Sequence, residues 1–184
     1  GIALVCHPHP LFGGANTNKV TQTLARTFTR LGYVALRPNF RGVGGSAGTH
    51  ADGRGEAEDM LAVLDAARQT YGDLPVVLAG FSFGAYVQTR VAQALAAAGQ
   101  PAQRLVLVGT AAGFVEGARQ YDVQAVAADT LVIHGAVDTT VPLANVLAWA
   151  EPLDLPVVVV PGADHFFHRR LHVIRDIVTR AWRH

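Results

Sequence analysis

In Val76-Val77-Leu78-Ala79-Gly80-Phe81-Ser82-Phe83-Gly84-Ala85-Tyr86 an apolar run meets a helix-forming segment, and a glycine stands two residues either side of one serine. Val76 to Ala79 suits a buried strand. Beyond it, Tyr86 or Val87, Val91, Leu95 and Ala98 recur at helical spacing, and Gly99-Gln100-Pro101 supplies a stop. Ser82 therefore falls at a strand-to-helix junction. A turn tight enough to join the two elements brings the backbone at residues 80 and 84 against neighbouring chain, where a side chain would clash. The same turn pushes the Ser82 hydroxyl out above the sheet. It also leaves the Phe83 N–H at the helix start, where unpaired donors and the helix dipole favour negative charge.

Other apolar runs repeat the pattern. Ile2 to Cys6, Tyr33 to Arg37, Leu105 to Val108, Leu131 to Ile133 and Val157 to Val160 read as strands. Between them, Val20, Leu24, Phe28 and Leu31, then Ala57, Met60 or Leu61, Leu64 and Ala67, mark inner helix faces. A short helix is expected around Leu143 to Trp149, and Leu171, Ile174, Ile177 or Val178 and Ala181 mark the last one. Strands alternating with helices predict an α/β fold, a mostly parallel sheet with helices on both faces, in one domain over residues 1–184. Hydrophobic residues are 50% and charged residues 16%, which suits a sheet buried on both sides. Gly109 to Asp129 has too little apolar mass for a large lid, with at most a short helix around Val123 to Ala127.

A net charge of +1 without a basic stripe argues against a nucleic-acid partner. No apolar run approaches eighteen residues, so no membrane span or signal peptide is expected. One cysteine excludes an internal disulfide framework and fits a reducing, cytoplasmic setting. Cys6, in an apolar strand, is expected to be buried packing.

A serine hydroxyl becomes a competent nucleophile when a base takes its proton and an acid orients that base. Asp138, just after the strand ending near Ile133, is the expected acid, and His165, after the next strand, the expected base. Carboxyl-end loops of a parallel sheet can converge at one rim. Asp164 is the rival acid, but a sequence neighbour reaches poorly around the imidazole to its far nitrogen. His134 reads as a packed histidine, and His168 and His172 as rim residues rather than metal ligands. Acyl chemistry also needs oxyanion donors. Phe83 N–H is one; Pro8 lacks an N–H, so His9 N–H is the expected second, with Leu11 or Phe12 as fallback. Phe12, Phe40, Phe81, Phe114 and Phe166 are the expected pocket lining. Arg41 is expected to brace loops through Asp52, Glu56 or Asp59. The glycines after it match neither a P-loop nor a dinucleotide fingerprint, and no cofactor or metal is expected.

His7 to Pro10, Asn18-Lys19, Asn39 to Gly48, Gly80 to Tyr86, Gly135 to Pro142 and Asp164 to Arg169 together resemble the alpha/beta-hydrolase superfamily. They are most similar to its small, nearly lidless bacterial serine hydrolases, relatives of the dienelactone-hydrolase-like group, which carry cysteine at the elbow where this chain has Ser82. The resemblance implies a Ser82, Asp138 and His165 triad acting on small carboxylic esters, with peptidase, thioesterase or acyltransferase chemistry as the variants and a noncatalytic scaffold as the outlying reading. Ala136 departs from relatives that have an acidic residue there. The family's sheet normally opens with two strands before the His-Pro loop, and they are absent here. The expectation is that either an N-terminal segment precedes Gly1 or a second copy covers the sheet edge.

Overall fold

The computed structural model describes residues 1–115, 117 and 119–182. Its main sheet contains β1 (Ile2–Cys6), β2 (Val34–Leu36), β3 (Val76–Phe81), β4 (Arg104–Val108), β7 (Leu131–Gly135) and β8 (Val157–Val160). They lie in the order β2-β1-β3-β4-β7-β8. All neighbours in it are parallel, with Ile2 opposite Val76 and Cys6 opposite Gly80. Alternation explains why the strands read as unbroken apolar runs. Ile2, Leu4 and Cys6 face one core with Leu78 and Leu107, while Ala3 and Val5 face another with Val77, Ala79 and Val106.

Helices cover both faces. α2 (Arg54–Tyr71), α3 (Phe83–Ala97) and α4 (Leu143–Ala150) send Met60, Leu64, Val87, Val91 and Val146 into the first core. α1 (Lys19–Arg30) and α5 (Leu171–Ala181) send Val20, Leu24, Phe28, Ile174 and Val178 into the second. Asn18 starts α1, its Oδ1 accepting the Val20 and Thr21 N–H groups at 2.9 and 3.2 Å. No helix among the described residues is long and apolar enough to cross a membrane.

One expected element is replaced. Residues 123–127 form no helix; instead β5 (Gly113–Val115) and β6 (Arg119–Tyr121) make an antiparallel hairpin. Five residues cannot support helix nucleation on their own. Period-2 alternation puts Val115 inward and Phe114 outward, so the hairpin offers the apolar side of a strand rather than of a helix.

α3 begins hard against the end of β1. A Cβ on Gly84 would lie 2.4 Å from the His7 carbonyl oxygen and 2.5 Å from that of Cys6. Gly84→Ala should therefore destabilise the fold by about 1–3 kcal/mol, read as a lower urea midpoint. Gly45→Ala, at a site with open space around it, should stay within about 0.5 kcal/mol of wild type.

Candidate active site

Ser82 connects β3 to α3 with φ 55 and ψ −118, a conformation that costs a residue with a Cβ roughly 1–3 kcal/mol. Its backbone is held on both sides. Ser82 N–H donates to Val108 O at 2.9 Å, and its carbonyl accepts from Ala85, Tyr86 and Ala111 N–H at 3.0, 3.2 and 3.2 Å. Gly80 is needed because a Cβ there would lie 2.4 Å from the Gly84 carbonyl oxygen. The turn thus presents Oγ at the carboxyl edge of the sheet.

The loops after β7 and β8 bring two more side chains to that point. His165 Nε2 lies 3.0 Å from Ser82 Oγ, and its Nδ1 lies 2.7 Å from Asp138 Oδ2. All three residues are buried. The remaining oxygen of Asp138 accepts the Thr140 and Val141 N–H groups at 2.9 and 2.8 Å, so the carboxylate is fixed by its own loop. Asp164 points elsewhere and pairs with the exposed His168. His134 is fully buried; its Nε2 donates to Val141 O at 2.9 Å and lies 3.5 Å from Asp138 Oδ2. Burial pushes its pKa below the usual histidine range. It braces the acid's loop.

A cleft opens over Ser82, bounded by Pro8, His9, Phe12, Gly14, Ala111, Val115, Tyr121, Val141, His165 and Phe166, with Arg119 at its side. Of the five expected lining phenylalanines, Phe12 and Phe166 line it. Phe40 and Phe81 do not, because both are buried in the core. Phe40 packs on the His7 and Phe83 rings, and Phe81 lies 5.0 Å beneath the His165 ring. Phe114 points to solvent, as the β5 alternation requires. Val115 and Tyr121 supply wall instead. Their alternate spacing across Gly117 is the one sequence signal that could have revealed them.

Among the described residues, neither Phe83 N–H nor His9 N–H donates to another protein group. The alternatives are occupied: Leu11 N–H donates to His9 Nδ1 at 3.2 Å and Phe12 N–H to His9 O at 3.2 Å. Burial and the nearby His50 and Arg119 hold the His9 imidazole down at about 4. Arg41 makes a two-pronged pair with Asp59 at 2.7 and 2.8 Å, leaving Glu56 to other partners. No group of three or more potential metal ligands occurs among the described residues.

His7, fully buried, ties the loop after β1 to the loop after β2. Its Nδ1 donates to Pro8 O at 2.7 Å while its Nε2 accepts the Phe40 N–H at 2.9 Å. That pattern admits only the neutral ring, and burial lowers its pKa to about 4.

The parallel sheet, the strained serine turn and the imidazole and carboxylate beside it define an alpha/beta serine hydrolase without a lid. Residues 4–121 match the serine aminopeptidase S33 family, and the chain belongs to it. An alpha/beta serine hydrolase homologue from Coxiella burnetii is 39% identical, with a TM-score of 0.85 over 100% of this chain and 88% of that one. A serine hydrolase without lid from Xanthomonas campestris is also 39% identical, with a TM-score of 0.85 over 98% of this chain and 79% of that one. An uncharacterized protein of Rickettsia prowazekii (strain Madrid E) is 46% identical over 87 residues, 47% of this chain. The match spans 37% of that relative's length.

The neutral His7 makes stability depend on pH. Its folded pKa near 4 lies below the unfolded 6.5, so the unfolded chain binds more protons between these values and stability falls as pH drops through that window. The loss attributable to His7 should be on the order of 3 kcal/mol. Urea unfolding from pH 7 to 4 should show this decline in wild type and a shallower one in His7→Gln.

Proposed function

We propose that the protein hydrolyses small carboxylic esters through an acyl-enzyme formed on Ser82. The observation that carries this reading is the unbroken relay from Asp138 through His165 to Ser82 Oγ, at 2.7 and 3.0 Å, on the floor of an open cleft. Ser82 Oγ attacks the carbonyl carbon while His165 Nε2 takes its proton, and Asp138 stabilises the imidazolium and its orientation. Negative charge passes to the carbonyl oxygen, where Phe83 N–H and His9 N–H donate to it. The tetrahedral species collapses as His165 returns the proton to the leaving alkoxide. Water, deprotonated by the same nitrogen, then attacks the acyl carbon, and Ser82 leaves with that proton.

The family's name favours a second reading, aminopeptidase action. Recognition of a substrate ammonium calls for a carboxylate in the cleft, and the described lining has none while Arg119 borders it. Ester cleavage therefore takes precedence. Phe12, Phe166 and Val115 suit a short or medium acyl group. We also propose a cytoplasmic setting, supported by the single buried thiol, and a partner segment or second copy along the half-buried edge strand β2.

On a short-chain aryl ester, Ser82→Ala should lower kcat by about 10⁶-fold and Asp138→Asn by about 10⁴-fold. A fluorophosphonate should label wild type at Ser82 and leave Ser82→Ala unmodified. Equal enzyme-dependent turnover by wild type and Ser82→Ala would remove Ser82 from the mechanism. An aminoacyl anilide turned over faster than the ester would move the reading to peptidase.

A further inference from the structure

No step of the proposed reaction uses His50, yet it occupies a demanding position. Its side chain is 12% exposed, and its ring centroid lies 4.7 Å from that of His9 and 5.2 Å from that of Phe83. The His9 and Phe83 rings are themselves 4.7 Å apart, so the three rings form one cluster. His9 and Phe83 are the two residues whose N–H groups are assigned above to the developing oxyanion.

Behind this cluster lies Glu56, in the first turn of α2 and wholly buried. Its Oε1 accepts the Ala51 N–H at 2.9 Å and its Oε2 the Gly53 N–H at 2.8 Å. His50 Nδ1 lies 3.0 Å from Oε1, without hydrogen-bond alignment, and Nε2 lies 3.2 Å from the exposed Asp52 Oδ1. A carboxylate withdrawn from water needs several donors, and here the donors belong to the loop carrying His50. That loop is also pinned from the other side. A Cβ on Gly53 would lie 2.6 Å from the Tyr86 ring, one helical turn beyond Phe83.

We propose that His50 and Glu56 are positioning residues for the oxyanion donors. Glu56 fixes the loop and the His50 ring, and that ring holds His9 and Phe83 so that their N–H groups converge on one point. The inference rests on the Ser82 hydrolase reading. Loss of one donor costs about 10²–10³-fold in kcat, so donors that are loosened rather than removed should cost less, about tenfold. Oxyanion charge appears after substrate has bound, so the loss should fall on kcat and not on KM.

The test compares wild type, His50→Ala, His50→Phe and Glu56→Gln on an aryl ester. A trifluoromethyl ketone inhibitor is measured alongside. Ser82 Oγ adds to its carbonyl carbon, the proton passes to His165, and the carbonyl π pair becomes an oxyanion at the position in question. His50→Ala should lower kcat about tenfold with KM within twofold, and weaken the ketone by the same factor. His50→Phe, which restores the ring contact, should recover most of both. A folded His50→Ala with wild-type kcat, a loss confined to KM, or a kcat loss with unchanged ketone affinity would each overturn the proposal. Should His50→Ala fail to fold, Glu56→Gln carries the test under the same outcomes. A wild type that neither turns over ester nor takes fluorophosphonate at Ser82 overturns the hydrolase reading itself. An active wild type matched by His50→Ala overturns the positioning role alone.

Discussion

The carbonyl oxygens of Cys6 and His7, at the end of β1, lie where a side chain on residue 84 would begin. That bare contact lets α3 start directly over the sheet, and much of the rim follows from it. Because α3 starts there, Phe83 stands at the first position of the helix and Ser82 takes its positive-φ conformation. The strain is held by hydrogen bonds to both neighbours of the turn, Val108 at the end of β4 and Ala111 just beyond it. Parallel register between β1, β3 and β4 places these anchors at one height. A local backbone cost is thus carried by the whole centre of the sheet.

Three buried histidines show how neighbours assign different work to one side chain. His7 faces a carbonyl with one nitrogen and an N–H with the other, so it is neutral and braces two loops. His134 faces the Val141 carbonyl and steadies the loop that holds Asp138. His165 faces a carboxylate on one side and a hydroxyl on the other. This last arrangement alone can accept a proton at one nitrogen while the other remains paired with negative charge. The imidazole is the same throughout; the two groups it meets decide its chemistry.

The connection between β4 and β7 forms one side of the cleft. Among the described residues of that interval, a two-stranded hairpin and an extended segment supply a wall, Val115 and Tyr121, without a cover. Arg119 stacks 4.2 Å above the Phe12 ring, joining the hairpin to the loop after β1 across the cleft's side. The rim is accordingly built from the connections that leave β1, β3, β4, β7 and β8, while the connection leaving β2 supports it from behind, through the His7 to Phe40 brace and the His50 ring against His9 and Phe83.

Much of this was legible along the chain because it depends on local rules. Apolar runs located all six strands of the main sheet to within two residues, including the half-buried edge strand β2 and the partly exposed β8. Glycine spacing located the turn, and carboxyl-end loops nominated Ser82, Asp138 and His165, which the fold brings into hydrogen-bonding distance. Strand period and turn sterics act between near neighbours, so the sequence by itself determines them. The hairpin, the burial of Phe40 and Phe81, the turning of Asp164 toward His168 and the ring cluster around His50 were decided only in three dimensions. Each depends on which distant surface arrives beside a residue, and apolarity or charge alone does not encode that direction. His50 and His9 are forty-one positions apart along the chain, and only the packing of α2 and α3 on one face of the sheet makes them neighbours.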